Sequence, residues 1–229
     1  MRSYLLPLLI VTALSCSPIR MYQQLPNVQS WENDILKFEQ LDSSETYPEN
    51  AVLFAGSSSI RLWSTLAQDM DPYPAIQRGY GGAKLSDLAV YAERIFYPHR
   101  CRAIVMFVAN DITGSKEDIS PDEVARLFCC VLKTIRKKFP DTPVFWTATT
   151  PTPLRWNVWP GIVNANKLIQ DVCERMDHTY FIKTDFAFLN ANGEPNDELF
   201  LTDRLHLNAQ GYVVWAEIIR KELDRVLAE

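Results

Sequence analysis

The sequence Val52-Leu53-Phe54-Ala55-Gly56-Ser57-Ser58-Ser59-Ile60-Arg61 marks the first strand-to-helix connection of the chain. Its first four residues form an apolar run, which is typical of a buried strand in a parallel sheet. The run breaks at Gly56 into three serines, after which Leu62 and Leu66 have the spacing of a short helix. A strand, a tight turn and a helix in this order raise a serine hydroxyl to the open end of an α/β sheet.

Ser58 in this turn is a candidate nucleophile. Amide groups at the start of the following helix would lie beside its hydroxyl, where they can hold an oxyanion. A second interpretation is structural, because serine is a preferred N-cap residue. Taken alone, the ten residues favour the cap, so the choice depends on the rest of the chain.

The length, charge and composition of the chain limit the classes of protein to which it can belong. At 229 residues the chain suits one α/β domain with a full core and is short for two. Its net charge of −5 and the absence of any Lys/Arg run argue against a nucleic-acid partner. No Cys/His spacing suggests a zinc site, and the sequence predicts no cofactor.

The first residues predict export. Met1-Arg2-Ser3 carries one positive charge, and the segment 4–14 is apolar apart from Thr12. Eleven residues are too few to span a bilayer as a helix but suit the hydrophobic region of a signal peptide. A buried first strand is the alternative.

The residues around Cys16 resemble a bacterial lipobox, in which a cysteine after a small residue is acylated once the signal peptide is removed. Ala13 stands where leucine is usual, which leaves plain secretion open. We predict a signal peptide over residues 1–15, a lipidated Cys16, a tether over 16–27 and one domain over 28–229. Such a protein would be a membrane-anchored lipoprotein at the periplasmic face or cell surface.

Helices alternate with strands along the remaining chain. Strands are predicted at 51–55, 75–78, 102–108, 143–149 and 179–184, and longer helices at 29–41, 85–96, 120–138, 161–176 and from 208 onward. This order predicts an α/β fold in which helices cover both faces of a parallel sheet, giving a three-layer αβα sandwich.

Five chemistry-bearing residues fall at one edge of that sheet. Ser58, Gly82 and Asn110 follow the first three strands, and Asp203 and His206 precede the last helix. A nucleophilic serine needs an imidazole as base, and the imidazole needs a carboxylate to hold its tautomer. The amides of Ser58 and Gly82 with the side chain of Asn110 would donate to the tetrahedral intermediate.

His206 is the best candidate among three histidines. Asp203 precedes it by three residues, and leucines on both sides can pack it down. His99 follows a proline in a loop without a nearby acid, and His178 follows Asp177 directly, a spacing that seldom pairs well. The joint placement favours a catalytic His206.

Four segments in the same order resemble the conserved blocks of the SGNH hydrolases, also called GDSL esterases and lipases. They are Gly56-Ser57-Ser58-Ser59-Ile60, Arg78-Gly79-Tyr80-Gly81-Gly82, Ala109-Asn110-Asp111-Ile112 and Asp203-Arg204-Leu205-His206-Leu207-Asn208. The resemblance spans about residues 51–215. It implies a five-stranded flavodoxin-like sandwich and metal-free ester hydrolysis by Ser58, His206 and Asp203, with Ser58, Gly82 and Asn110 forming the oxyanion hole.

The chain departs from the family pattern at two positions. Ser57 stands where the name motif has aspartate, which affects turn geometry rather than catalysis. Val108 stands where the third block usually has glycine, and a branched residue there is expected to shift the Asn110 loop or narrow the pocket. Asp111 is expected to hold loop backbone.

The loop 150–160 supplies candidate substrate-binding residues, namely Arg155, Trp156 and Trp159. Members of the GSSSI type often carry a similar Pro-Arg-Trp segment. The two tryptophans would either stack on sugar faces or belong to the core, and the sequence does not separate these interpretations.

The leading hypothesis is an exported serine esterase acting on small acyl esters, with O-acetyl groups of carbohydrate as one candidate class. The chain shows no aliphatic lid, so acetyl to butyryl esters are expected to be the best substrates. A lysophospholipase or thioesterase is the second hypothesis and predicts an apolar trough near Ser58. The third is an inactive binding module, which the full set of catalytic residues disfavours.

Overall fold

A single five-stranded parallel sheet organises the protein. The structure, a computed structural model, describes residues 18–228. The described strands are β1 (Val52–Gly56), β2 (Ala75–Gly79), β3 (Ala103–Phe107), β4 (Val144–Thr147) and β5 (Thr179–Ile182). They lie in the order β2-β1-β3-β4-β5, and every neighbouring pair is parallel. The chain places β2 on one side of β1 and then β3 on the other, so the strand order reverses between β1 and β3. Open α/β sheets bind ligands at such a point.

Helices connect the strands, and the five longest lie where the periodicity predicts them. They are α1 (Pro18–Gln23), α2 (Pro26–Gln29), α3 (Glu32–Ser44), α4 (Ser58–Arg61), α5 (Leu66–Asp69), α6 (Leu85–Phe96), α7 (Pro121–Lys138), α8 (Trp159–Arg175) and α9 (Ala209–Leu227). Short 3₁₀ helices lie at Pro153–Val158, Asp185–Phe188 and Asp197–Leu199. Ser120 caps α7 by accepting from the Glu123 amide, and Asn208 caps α9 by accepting from Gly211.

Alternate residues of each strand face opposite layers. Leu53 and Ala55 of β1 pack with α6, α7 and α8, whereas Val52 and Phe54 pack with Trp63 and the apolar face of α9. All five residues of β1 are buried because both faces are covered. The predicted three-layer αβα sandwich with five parallel strands is therefore confirmed.

The N-terminal segment differs from the predicted tether. The signal peptide 1–15 and Cys16 lie outside the described residues, but α1 and α2 begin before the domain boundary predicted at residue 28. Tyr22 and Val28 are buried against the core, and the Tyr22 hydroxyl donates to Glu123 of α7. These apolar side chains make the segment part of the packed structure. Within residues 18–228, no helix is both long and apolar enough to cross a membrane.

Candidate active site

The turn after β1 brings Ser58 to the carboxyl edge of the sheet. Gly56 has φ of 144°, and a Cβ there would lie only 1.9 Å from the Phe107 carbonyl oxygen, so only glycine fits. The Ser57 amide donates to the same Phe107 oxygen at 2.9 Å, which holds the turn against β3. Ser58 is the first residue of α4, so its own amide needs no intrahelical acceptor and is available to a ligand.

Ser58, His206 and Asp203 form one hydrogen-bonded row. His206 Nε2 lies 3.0 Å from Ser58 Oγ, and His206 Nδ1 lies 2.7 Å from Asp203 Oδ2. An ionised carboxylate only accepts, so Nδ1 carries the proton and Nε2 is left to accept the proton of the serine. The structure thus brings together the three residues predicted as a triad, across 148 residues of sequence.

The loop that carries Asp203 and His206 is closed by backbone contacts. Phe200 and Leu207 form an antiparallel bridge at its base, and the Leu201 amide donates to the His206 carbonyl at 2.7 Å. Arg204 between the two functional residues has φ of 58°, the left-handed conformation, which turns the chain sharply. This geometry sets both side chains on the same side of the loop.

Asp203 is held as an anion. Burial raises its pKa, but the hydrogen bond from the His206 ring and those from two backbone amides outweigh burial and lower the pKa to about 2. The two amides are those of Leu205 at 2.9 Å and His206 at 3.0 Å, both donating to Oδ1. A carboxylate ionised throughout the neutral range stabilises a charged imidazolium.

Asn110 lines the same cleft as Ser58. Its Nδ2 donates to the Ala83 carbonyl at 3.0 Å, and its Oδ1 accepts from Arg155 Nη2 at 2.8 Å. One Nδ2 hydrogen remains for a ligand, as an oxyanion donor requires. Gly82 precedes Ala83 with φ of 72° and packs on Trp31; it is not among the residues that line the cleft.

The cleft beside Ser58 is narrow. It spans about 440 Å³, its solvent-open mouth included. The described residues that line it are Ser57, Ser58, Ser59, Phe107, Ala109, Asn110, Thr149, Thr150, Thr152, Arg155, Ile162, Leu205, His206 and Leu207. Such a space admits a small group next to the serine hydroxyl and no long chain without rearrangement.

The three predicted substrate-binding residues take different places. Arg155 lines the cleft and donates from Nη1 to the Ala109 carbonyl at 2.6 Å. Trp156 and Trp159 are half-buried, stack on each other with ring centres 5.9 Å apart, and do not line the cleft. Of the three, only Arg155 lines the cleft, and its backbone is non-helical within the 3₁₀ segment; substrate binding by the two tryptophans stays a prediction.

Val108 also differs from its expected place. Its side chain is buried among core residues and lines a separate apolar cavity with Ile112, Val124 and Ala165. It does not line the cleft, although the two cavities share Ala109, Thr149 and Ile162. Val108 therefore does not narrow the pocket directly, because the strand alternation points its side chain to the other layer.

Asp111 joins two loops of the site, as its position after Asn110 predicts. Its carboxylate accepts from the Leu85 amide, at 3.0 Å to Oδ1 and 3.2 Å to Oδ2. Burial raises its pKa to about 7, beyond the lowering effect of that hydrogen bond. Nearby Asp87 caps α6 by accepting from the Lys84 amide, and burial raises its pKa to about 6.

A family model described as GDSL-like Lipase/Acylhydrolase matches residues 47–214. No curated protein sequence matches the chain. Among solved structures, a Streptococcus pneumonia protein provisionally named a platelet activating factor is similar with a TM-score of 0.74 at 19% identity, covering 90% of this chain and 100% of its own.

Two further structures share the architecture. A GDSL-like lipase from Bacteroides thetaiotaomicron has a TM-score of 0.68 at 14% identity, covering 84% of this chain and 98% of its own. A mutant of an acetyl-xylooligosaccharide esterase from a Geobacillus species has a TM-score of 0.62 at 13% identity, covering 76% of this chain and 94% of its own. At such identities these likenesses establish the fold alone.

Proposed function

The chain belongs to the GDSL-like lipase/acylhydrolase family, and on that premise we propose that it is a serine esterase that cleaves short-chain acyl esters. The observation that carries the proposal is the row from Asp203 through His206 to the Ser58 hydroxyl, with contacts of 2.7 and 3.0 Å. Asn110 lines the same cleft. One cleft therefore combines the groups that acyl transfer needs: a nucleophile, its base, the carboxylate that holds the base, and an oxyanion donor.

The reaction proceeds through an acyl-enzyme. Ser58 Oγ attacks the ester carbonyl carbon while its proton moves to His206 Nε2. The carbonyl oxygen becomes an anion and accepts from Asn110 Nδ2 and from the amide of Ser58. The Gly82 amide, which lies outside the lining of the cleft, stays a predicted third donor. The intermediate collapses, and the alcohol leaves with the proton from His206. Water then attacks the acyl group with His206 as base, which releases the acid and restores Ser58.

The narrow cleft supports acetyl to butyryl groups as the acyl part. Each additional CH₂ that finds an apolar surface contributes about 0.8 kcal/mol, but the whole cleft spans only about 440 Å³ and its lining includes many polar side chains. Longer chains would therefore leave methylene groups in water. The same observation disfavours a lysophospholipase or long-chain thioesterase.

We extend the proposal to O-acetyl groups on carbohydrate. Trp156 and Trp159 follow Arg155 in the same segment, outside the cleft, and both indoles are partly exposed. Exposed indole faces stack on apolar faces of sugar rings. The name of one similar solved structure, an acetyl-xylooligosaccharide esterase, refers to the same class of substrate. The proposal of export and lipid anchoring through Cys16 rests on residues 1–16 of the sequence alone.

A p-nitrophenyl ester series from acetate to palmitate, followed by acetylated sugars, tests the proposal. We expect kcat/KM to be highest between acetyl and butyryl, and a maximum at octanoyl or beyond would favour the lysophospholipase. Ser58→Ala should abolish hydrolysis and covalent phosphonate labelling with little change in Tm, whereas the neighbouring Ser59→Ala should keep both. Labelling that survives Ser58→Ala and disappears in Ser59→Ala would refute the assignment of the nucleophile. Absence of hydrolysis in the unaltered protein would favour a binding module.

A further inference from the structure

We propose that Arg155 is a positioning residue that acts through Asn110: its guanidinium locks the Asn110 side chain so that an Nδ2 hydrogen faces the oxygen of the substrate. The inference rests on the proposed esterase function and assigns Arg155 a role other than direct contact with substrate. It follows from the contacts on both sides of the Asn110 amide and from the place of the guanidinium in the cleft.

The two partners of Asn110 leave its amide one orientation. Arg155 can only donate, so the Asn110 atom 2.8 Å from its Nη2 must be the oxygen. The Ala83 carbonyl can only accept, so the Asn110 atom 3.0 Å from it must be the nitrogen. A flipped amide would place two donors together and two acceptors together. Without Arg155, only the Ala83 contact would oppose that flip.

The guanidinium also fixes the backbone that carries Asn110. Arg155 Nη1 donates to the Ala109 carbonyl at 2.6 Å, so one rigid fork holds two consecutive residues. The neighbouring Leu154 amide donates to the Arg204 carbonyl at 3.0 Å. The segment of Arg155 therefore links the loop of the oxyanion donor to the loop that carries Asp203 and His206.

The charge of Arg155 strengthens the same donor. A hydrogen bond from a charged guanidinium to Oδ1 polarises the amide and makes its N–H groups better donors. Within residues 18–228, no carboxylate lies within 4.0 Å of the guanidinium. Burial lowers its pKa and the more distant carboxylates of Asp118 and Asp111 raise it, and the guanidinium stays charged at neutral pH. The negative charge that develops on the substrate oxygen would thus meet an amide backed by a cation.

A double-mutant cycle separates this role from substrate binding. On p-nitrophenyl acetate, Asn110→Ala should lower kcat by about 10²–10³-fold, and Arg155→Ala should lower it by about 10–10²-fold with KM within threefold of the unaltered enzyme. In the Asn110→Ala background, Arg155→Ala should change kcat by less than about threefold, because the group it acts through is gone. Arg155→Lys should recover little, since an ammonium cannot bridge two acceptors in a fixed plane.

Arg136→Ala is the matched control. Arg136 is half-buried and likewise donates to backbone carbonyls, those of Phe139, Thr142, Asp177 and His178, but it lies outside the cleft. Its loss should lower Tm and leave kcat within twofold. Added guanidinium ion should restore part of kcat in Arg155→Ala and none in the double variant, a rescue that a structural role of Arg155 does not predict.

Two outcomes would overturn the inference. Equal losses of kcat in both Asn110 backgrounds would show that Arg155 acts independently, and a raised KM with unchanged kcat would make it a substrate-binding residue. A measurement that does not depend on catalysis tests the inference separately from the proposed esterase function. Arg155→Ala should shift or broaden the Asn110 side-chain amide resonances in NMR spectra, and Arg136→Ala should not. Unchanged resonances in Arg155→Ala would refute it even in an active enzyme, whereas an inactive unaltered protein counts against the esterase.

Discussion

Asp203→Asn should inactivate the enzyme by trapping His206 in the wrong tautomer. Asp203 Oδ1 accepts from the amides of Leu205 and His206, and an asparagine must keep its own oxygen there to satisfy both donors. Its NH₂ group then replaces Oδ2, 2.7 Å from His206 Nδ1, and donates to it. The imidazole proton is thereby moved to Nε2, which faces Ser58 Oγ at 3.0 Å and can no longer accept the serine proton.

Two terms set the size of this effect. Restoring the productive tautomer requires flipping the asparagine away from two amide donors, at about 1 kcal/mol for each lost hydrogen bond. The variant also lacks the negative charge that stabilises the imidazolium in the transition state. A tautomer trapped in this way costs about 10⁴-fold in kcat in serine hydrolases, which is about 5 kcal/mol.

The assay is p-nitrophenyl acetate hydrolysis at pH 7 for the unaltered enzyme, Asp203→Asn and a control. Asp197→Asn makes the same isosteric change six residues away, in an exposed ion pair with Arg204, and should leave kcat/KM within about threefold. Measured Tm values should agree among the three proteins within a few degrees. Activity of Asp203→Asn within tenfold of the unaltered enzyme would refute the tautomer argument.

Three other perturbations follow from the sequence and structure. Because burial raises the pKa of Asp111 from 3.8 to about 7, its protonated form is favoured in the folded state. The stabilising contribution of protonated Asp111 is complete below about pH 4 and is lost as the pH rises to 7. The free energy of unfolding in urea should therefore differ less between pH 4.5 and pH 7.5 for Asp111→Asn than for the unaltered protein. The same pH difference in both proteins would contradict this. Gly56→Ala should destabilise the fold by about 3 kcal/mol or more, because the new Cβ would meet the Phe107 carbonyl at 1.9 Å; an unchanged urea midpoint would contradict it. Cys16→Ser should release the protein from the membrane fraction, and an intact, unmodified Met1 in the mass spectrum of the native protein would contradict lipidation.

Much of the architecture was predictable from local patterns. Continuous apolar runs predicted β1 and β3, and the Ser-Pro-Asp-Glu sequence at Ser120 and the asparagine at 208 predicted the starts of α7 and α9. The alternation of strands and helices predicted the parallel sheet, since parallel strands need crossover helices. The same sheet predicted that residues after β1 and β3 meet at one edge, which placed Ser58 near Asn110.

The lone carboxylate-histidine pair before α9 was also visible in the sequence, because Asp203 and His206 are close along the chain. What the chain order could not reveal is that the loop closes by a bridge between Phe200 and Leu207 and turns at Arg204 in a left-handed conformation. Those features bring His206 Nε2 within 3.0 Å of Ser58 Oγ, a contact across 148 residues.

Side-chain direction outside regular elements depended on the tertiary structure. Arg155, Trp156 and Trp159 lie together in sequence, yet one backbone kink sends the guanidinium into the cleft and leaves the indoles outside it. The partner of Arg155 is Asn110, 45 residues earlier, on a different loop. Local propensities describe periodic segments well, because their neighbours are fixed by hydrogen bonds within a few residues. In an irregular loop the dihedrals of single residues are set by contacts with distant segments, and only the folded chain specifies those contacts.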